Sequence, residues 1–161
     1  MNKKSDCQSL ADVFDRWRIE DRELAEYVKQ VRDWMTEVEQ LGIPHFGETA
    51  TRLRPLRDRL VQHFQREEEM ISNLAAALPE PSTEFDLLRT NAAHDHELLL
   101  VRLDDLSARL SETDPQFESW QVAMNEVATL VHQLQEHERM EANTIEQFLA
   151  KMNIKSPTRY P

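Results

Sequence analysis

The chain has 161 residues, one cysteine, two glycines, seven prolines and a formal net charge of −11. That length fits one domain, 1–161, with a single core, and the acidity leaves no cationic excess to displace counterions, so neither nucleic acid nor an anionic membrane is expected as a partner. The lone Cys7 excludes an internal disulfide, and there is neither an apolar run approaching roughly twenty residues nor a signal-peptide h-region, so a cytoplasmic location is expected.

The first expected helix covers about 9–41, opening at Ser9 or Asp12 and stopped by Gly42 and Pro44. Apolar residues recur three and four apart along it as Phe14, Trp17, Asp21, Leu24, Val28, Val31, Met35 and Val38, with Asp21 as the interruption. The second, about 51–78, begins near Thr51, which puts Pro55 in the first turn, and ends before Pro79 and Pro81. Its stripe is Leu53, Leu56, Leu60, His63, Glu67, Met70 and Leu74. The third, about 83–111, opens at Ser82 or Thr83, and His96 is the only polar member of the stripe Phe85, Leu88, Ala92, His96, Leu99, Leu103, Leu106, Leu110. The fourth, about 114–152, takes Asp114 as cap with Pro115 following, and its stripe is Ala123, Val127, Leu130, Leu134, His137, Glu141, Ile145 and Phe148. Residues 156–161 show no periodicity and read as a loose tail. Few glycines, prolines between the periodic segments and short connections predict an all-α, up-down-up-down four-helix bundle.

Imidazoles and carboxylates therefore occupy stripe positions where leucines belong. In such a bundle the start of the first and third helices and the end of the second and fourth lie together. Counted inward from that end at ~1.5 Å per residue, Asp21, Glu67, His96 and Glu141 all reach a level roughly 16–18 Å deep, with His63 and His137 one turn further in. Three carboxylates and three imidazoles left bare in an apolar layer would cost several kcal/mol per unpaired ion, which direct ligation to a divalent cation removes. Two ions suit the pattern better than one, because each His-x-x-x-Glu pair can give an imidazole to one ion and a carboxylate that bridges both. Mixed imidazole and carboxylate ligands without cysteine favour iron or manganese over structural zinc.

The remaining chemistry-bearing residues read as scaffold. His132 and Glu136 repeat the spacing on a face shared with Asn125, Thr129, Arg139 and Asn143, which reads as solvated surface. His94 lies beside the stripe with Leu98 and Val101 and reads as a support behind the ligands or as surface, His45 falls in a loop expected to be exposed, and Glu68 and Glu69 read as exposed charges. Phe14, Trp17, Phe85 and Phe148 read as core fillers.

The stretches HFQREEEM from His63, HDHELLLVRL from His94 and HERMEANTIEQFL from His137 resemble the hemerythrin-like, or HHE cation-binding, domains. The segment EDRELAEYV from Glu20 looks like that family's first-helix histidine stretch with Asp21 in the histidine's place, and the resemblance runs from about Ile19 to Leu149. It implies a bundle holding two iron ions, oxo- or hydroxo-bridged, with Asp21, His63, Glu67, His96, His137 and Glu141 as the ligand set. The oxygen carriers of the family have a second third-helix histidine where this chain has Ala92, and their last-helix carboxylate lies five residues after the histidine instead of four. A more anionic set favours ferric iron over reversible oxygen carriage, and Ala92 implies an open coordination position. The resulting expectation is a non-haem di-iron protein that binds or reacts with dioxygen, peroxide or nitric oxide in sensing, protection or iron handling. The alternatives are a metal-free acidic bundle for protein interaction and, on family analogy, a redox or iron–sulfur-repair enzyme. No nucleophile triad or glycine-rich phosphate loop assigns a reaction.

Overall fold

The computed structural model describes the backbone of residues 3–42, 44–78 and 80–151, with side chains from Asp12 onward. Four helices account for nearly all of it: α1 (Lys3–Leu41), α2 (Phe46–Ala77), α3 (Thr83–Ser111) and α4 (Trp120–Lys151), with no strand among the described residues. Cross-helix contacts fix the directions. Tyr27 Oη donates to the Arg52 carbonyl while Trp17 meets Glu67, so α1 and α2 run oppositely. Arg57 with Asp104 and Glu68 with His96 reverse α3 against α2, Arg109 with Glu126 and Lys151 with Glu84 reverse α4 against α3, and Arg18 with Glu146 closes the ring. This is the expected up-down-up-down bundle. Among the four pairs of neighbouring helices, packing is closest between α2 and α3 and sparsest between α1 and α4.

The helix ends explain where the reading of the sequence holds and where it does not. Gly42 takes φ +67 and donates its backbone N–H to the Glu39 carbonyl at 3.2 Å, a left-handed stop that suits glycine. The Ser82 hydroxyl accepts from the Phe85 N–H at 3.3 Å, capping α3 at its expected start. α1 instead continues back to Lys3, past both proposed caps. α2 begins at Phe46, not Thr51, because the Phe46 ring stacks on Phe117 at 5.8 Å and meets the edge of Trp120 at 5.2 Å, so packing draws the helix start toward the bundle end. Pro55 consequently sits inside α2, where the carbonyl it cannot satisfy belongs to exposed Thr51. α4 begins at Trp120 instead of Asp114. Ser119 is its cap, accepting from the Val122 N–H at 3.2 Å, and Phe117 is held back in the loop by the same aromatic cluster. The tail at 156–161 lies outside the described residues.

The core is layered. One apolar block near the α1–α2 connection is built from Leu53, Leu56, Leu60, Leu103, Leu110 and Val127, all at most 2% exposed. A second, at the opposite end, contains Phe14, Met70, Ile71, Phe85, Ile145 and Leu149. Between them lies the layer that carries His63, Glu67, His96 and Glu141. Among the described residues no helix is long and apolar enough to cross a membrane.

Candidate metal centre

Each helix delivers its polar stripe member to this layer. Two groups form, in each of which one potential ligand atom per residue lies within 4.8 Å of the others: Glu67, His96, His137 and Glu141 in the first, Asp21, His63 and Glu138 in the second. The six residues expected from the sequence are thus brought together. Glu138 is the one that was missed. The step from Leu134 to Glu141 spans two turns and can be divided as three plus four, through His137, or as four plus three, through Glu138. The helix uses both, turning His137 to one group and Glu138 to the other, and Glu138 is only 8% exposed.

Glu67, fully buried, touches both groups. Its Oε1 lies 2.9 Å from His63 Nε2 and accepts a 2.7 Å hydrogen bond from Trp17 Nε1, while its Oε2 lies 2.9 Å from His96 Nε2. His63 Nε2 also lies 2.8 Å from Glu138 Oε2. Glu141 stands between the other two imidazoles, 3.2 Å from His137 Nε2 and 3.4 Å from His96 Nε2. Yet Glu67 Oε2, His96 Nε2, His137 Nε2, Glu138 Oε1 and both Glu141 oxygens are buried without a hydrogen-bond partner among the described residues. Close approach without hydrogen-bond alignment leaves these polar atoms unpartnered beside one another, in groups whose potential ligand atoms lie within 4.8 Å of each other. A buried unsatisfied polar atom costs ~1–3 kcal/mol, more if charged, and a cation among these atoms removes that cost for several at once. The donor set is nitrogen and carboxylate oxygen with no thiolate, which fits a borderline or hard divalent ion.

Electrostatics without a metal follow from the same contacts. Burial opposes charge on His63, but the carboxylates of Glu138 and Glu67 carry its ring up to about 11. Burial likewise opposes His96, and Glu141 with Glu67 raises it to about 10. Glu141 is resisted by burial and yet drawn down to about 2 by His137 and His96. Asp21 is pushed up to about 7, chiefly by burial and then by the neighbouring Glu138 carboxylate.

A surrounding set of side chains orients the layer. Phe64 stacks on His96 with ring centres 3.9 Å apart and meets the edge of His137. Trp17 lies over His63, so it is a hydrogen-bond donor and a ring support as well as core filler. Glu68, half exposed, places Oε1 3.0 Å from His96 Nδ1, and Asp95 Oδ2 is 3.6 Å from His137 Nδ1. A carboxylate behind a ligating imidazole fixes its tautomer and orientation. Glu68 is therefore not the bystander that its place in an acidic run suggests. His94 and His132 are exposed. His45, expected to be exposed, is half-buried at the start of α2, edge-on to Trp120 and 3.2 Å from Glu48.

Two grooves reach the second group. One, of about 210 Å³ between α1 and α4, is lined by Asp21, Leu24, Glu138 and Arg139. The other, of about 310 Å³ between α1 and α2, reaches His63 past Glu20, Arg59 and Arg66.

Neither a curated protein nor a solved structure matches the chain. The family profile of the hemerythrin HHE cation binding domain matches residues 10–149, a span that contains all seven clustered side chains. The chain therefore belongs to the hemerythrin HHE cation-binding family.

Proposed function

We propose that this is a cytoplasmic non-haem di-iron protein that binds or reacts with dioxygen, peroxide or nitric oxide, in sensing, protection or iron handling. The observation that carries the reading is the convergence of unpartnered donor atoms from His96, His137, Glu67, Glu141 and Glu138 in one buried layer, with Glu67 reaching both groups. Its two oxygens face different imidazoles, so Glu67 is the side chain suited to join two metal positions. Trp17 holds one of those oxygens in place through its indole N–H. His96 and His137 serve the first position together with Glu141, and Asp21, His63 and Glu138 serve the second. Iron bound there supplies redox chemistry and an exchangeable position for a small ligand. The Phe64 and Trp17 rings pack against the His96 and His63 imidazoles, and the α1–α4 groove is lined in part by Asp21 and Glu138. A diatomic molecule or peroxide needs no larger opening.

The test is small-ligand binding. Iron-loaded protein is expected to develop a ligand-dependent charge-transfer band when oxidised and titrated with azide, and to change its spectrum when reduced and exposed to nitric oxide. His63→Ala, which damages the second position, should weaken both responses. Iron-loaded protein that responds to neither of these ligands, nor to dioxygen or peroxide, contradicts the proposal.

A further inference from the structure

The two groups are not chemical copies of each other. The first offers two imidazoles, His96 and His137, with Glu67 and Glu141. The second offers a single imidazole, His63, with the carboxylates of Asp21 and Glu138. They also differ in access: Glu67, His96 and Glu141 are at most 4% exposed and His137 lines neither groove described above, whereas half-buried Asp21 and buried Glu138 line the groove between α1 and α4, the least closely packed of the four neighbouring helix pairs.

We propose that Asp21, His63 and Glu138 form a separately loading metal position that accepts a harder divalent cation, manganese(II), while the His96–His137 position retains the preference of imidazole for iron or zinc. This rests on the two-position reading above and adds to it that the positions differ in selectivity and order of filling. Imidazole favours zinc and iron, whereas carboxylate suits manganese, so replacing nitrogen by oxygen narrows the advantage that zinc and iron hold over manganese. Glu138 sharpens the difference. It comes from the same turn of α4 as His137 but turns to the second group, adding a second carboxylate beside Asp21 and a direct contact to His63 at 2.8 Å. The groove gives this position a route for exchange with solvent, so the ion held by Asp21 and Glu138 is the one that loads last and leaves first.

Metal-free full-length protein can be titrated first with Zn2+ to about one equivalent and then with Mn2+, following the loss of the free Mn2+ signal by electron paramagnetic resonance. The expected result is about one tightly held Zn2+ followed by about one Mn2+ per chain. Glu138→Gln and Asp21→Asn should abolish Mn2+ uptake and keep the first Zn2+, with unchanged helical circular dichroism. Removal with a chelator should take Mn2+ before Zn2+. Either variant binding Mn2+ as well as the parent, or losing Zn2+ along with Mn2+ while still helical, overturns the separate position. A parent protein that binds neither ion overturns the two-position reading itself, a different outcome from two ions that load together without selectivity.

Discussion

The apolar block around Leu56 and Leu103 and the polar layer around Glu67 are consecutive stretches of the same helices, with the same spacing of inward positions and opposite contents. In α2 the stripe passes from Leu53, Leu56 and Leu60 directly to His63 and Glu67 without a break in the helix. The leucine block is filled by atoms that need only neighbours. The polar layer is filled by atoms that need partners, and several have none among the described residues. One bundle thus assigns stability and register to one half and an unsatisfied, preorganised set of donors to the adjoining layer, and mutations in the two should separate stability from metal binding.

The largest expected effect tests that separation at the donors. His63→Ala and His137→Ala should each lose metal, while His132→Ala and His45→Ala, outside the layer, should leave stoichiometry unchanged, as read by metal analysis of purified protein. Loss of metal from the His132 variant would contradict the inward placement of His137, Glu138 and Glu141 on α4. Leu103→Ala, 1% exposed in the apolar block, should behave in the opposite way. It should cost about 2–5 kcal/mol in chemical denaturation and leave the metal content intact.

Smaller effects should come from the residues that support the donors. Trp17→Phe keeps a ring over His63 but removes the 2.7 Å hydrogen bond to Glu67, so metal affinity should fall about 10–100-fold with little change in folding. Glu68→Gln, a half-exposed side chain acting only through His96 Nδ1, should fall near the lower end of that range, about tenfold. Competition with a chromophoric chelator measures both.

The polar layer also gives the metal-free protein a pH signature that the leucine block cannot. His63 and His96 are raised from 6.5 to about 11 and about 10, so their stabilising contribution is full below 6.5, declines as pH rises, and is gone above about 11. Thermal midpoints of metal-free protein should therefore fall between pH 7 and 11. Binding of a divalent ion at pH 7 should release protons from the same rings, detectable as a buffer-dependent heat in calorimetry. A midpoint that is flat across this range would mean that the imidazoles are not paired as described.

The sequence made one half of this comparison easier to read than the other. Leucine stripes at helical spacing mark the bundle without ambiguity, and His63, Glu67, His96 and His137 stand out because they interrupt those stripes. Glu138 was hidden by the geometry of the helix: adjacent positions flanking one stripe can both face inward, and a stripe read at a single phase admits only one of them. Glu68 and Trp17 were hidden for a different reason. Their spacing identifies a face, but a hydrogen bond to a residue on another helix depends on how the helices meet. The starts of α2 and α4 were misplaced because Pro55 and Pro115 suit a first turn locally, whereas contacts among Phe46, Phe117 and Trp120 set the boundaries.

What most needs testing is the proposal that the unpartnered atoms of the polar layer hold two metal ions, both of them iron when iron alone is supplied. Protein loaded anaerobically with Fe2+, freed of excess by desalting and analysed for iron by mass spectrometry tests it most directly. The account predicts about two iron atoms per chain in the parent and about one in Glu138→Gln, the remaining ion being held by the His96–His137 group. Folded parent protein that retains no iron under these conditions would contradict it.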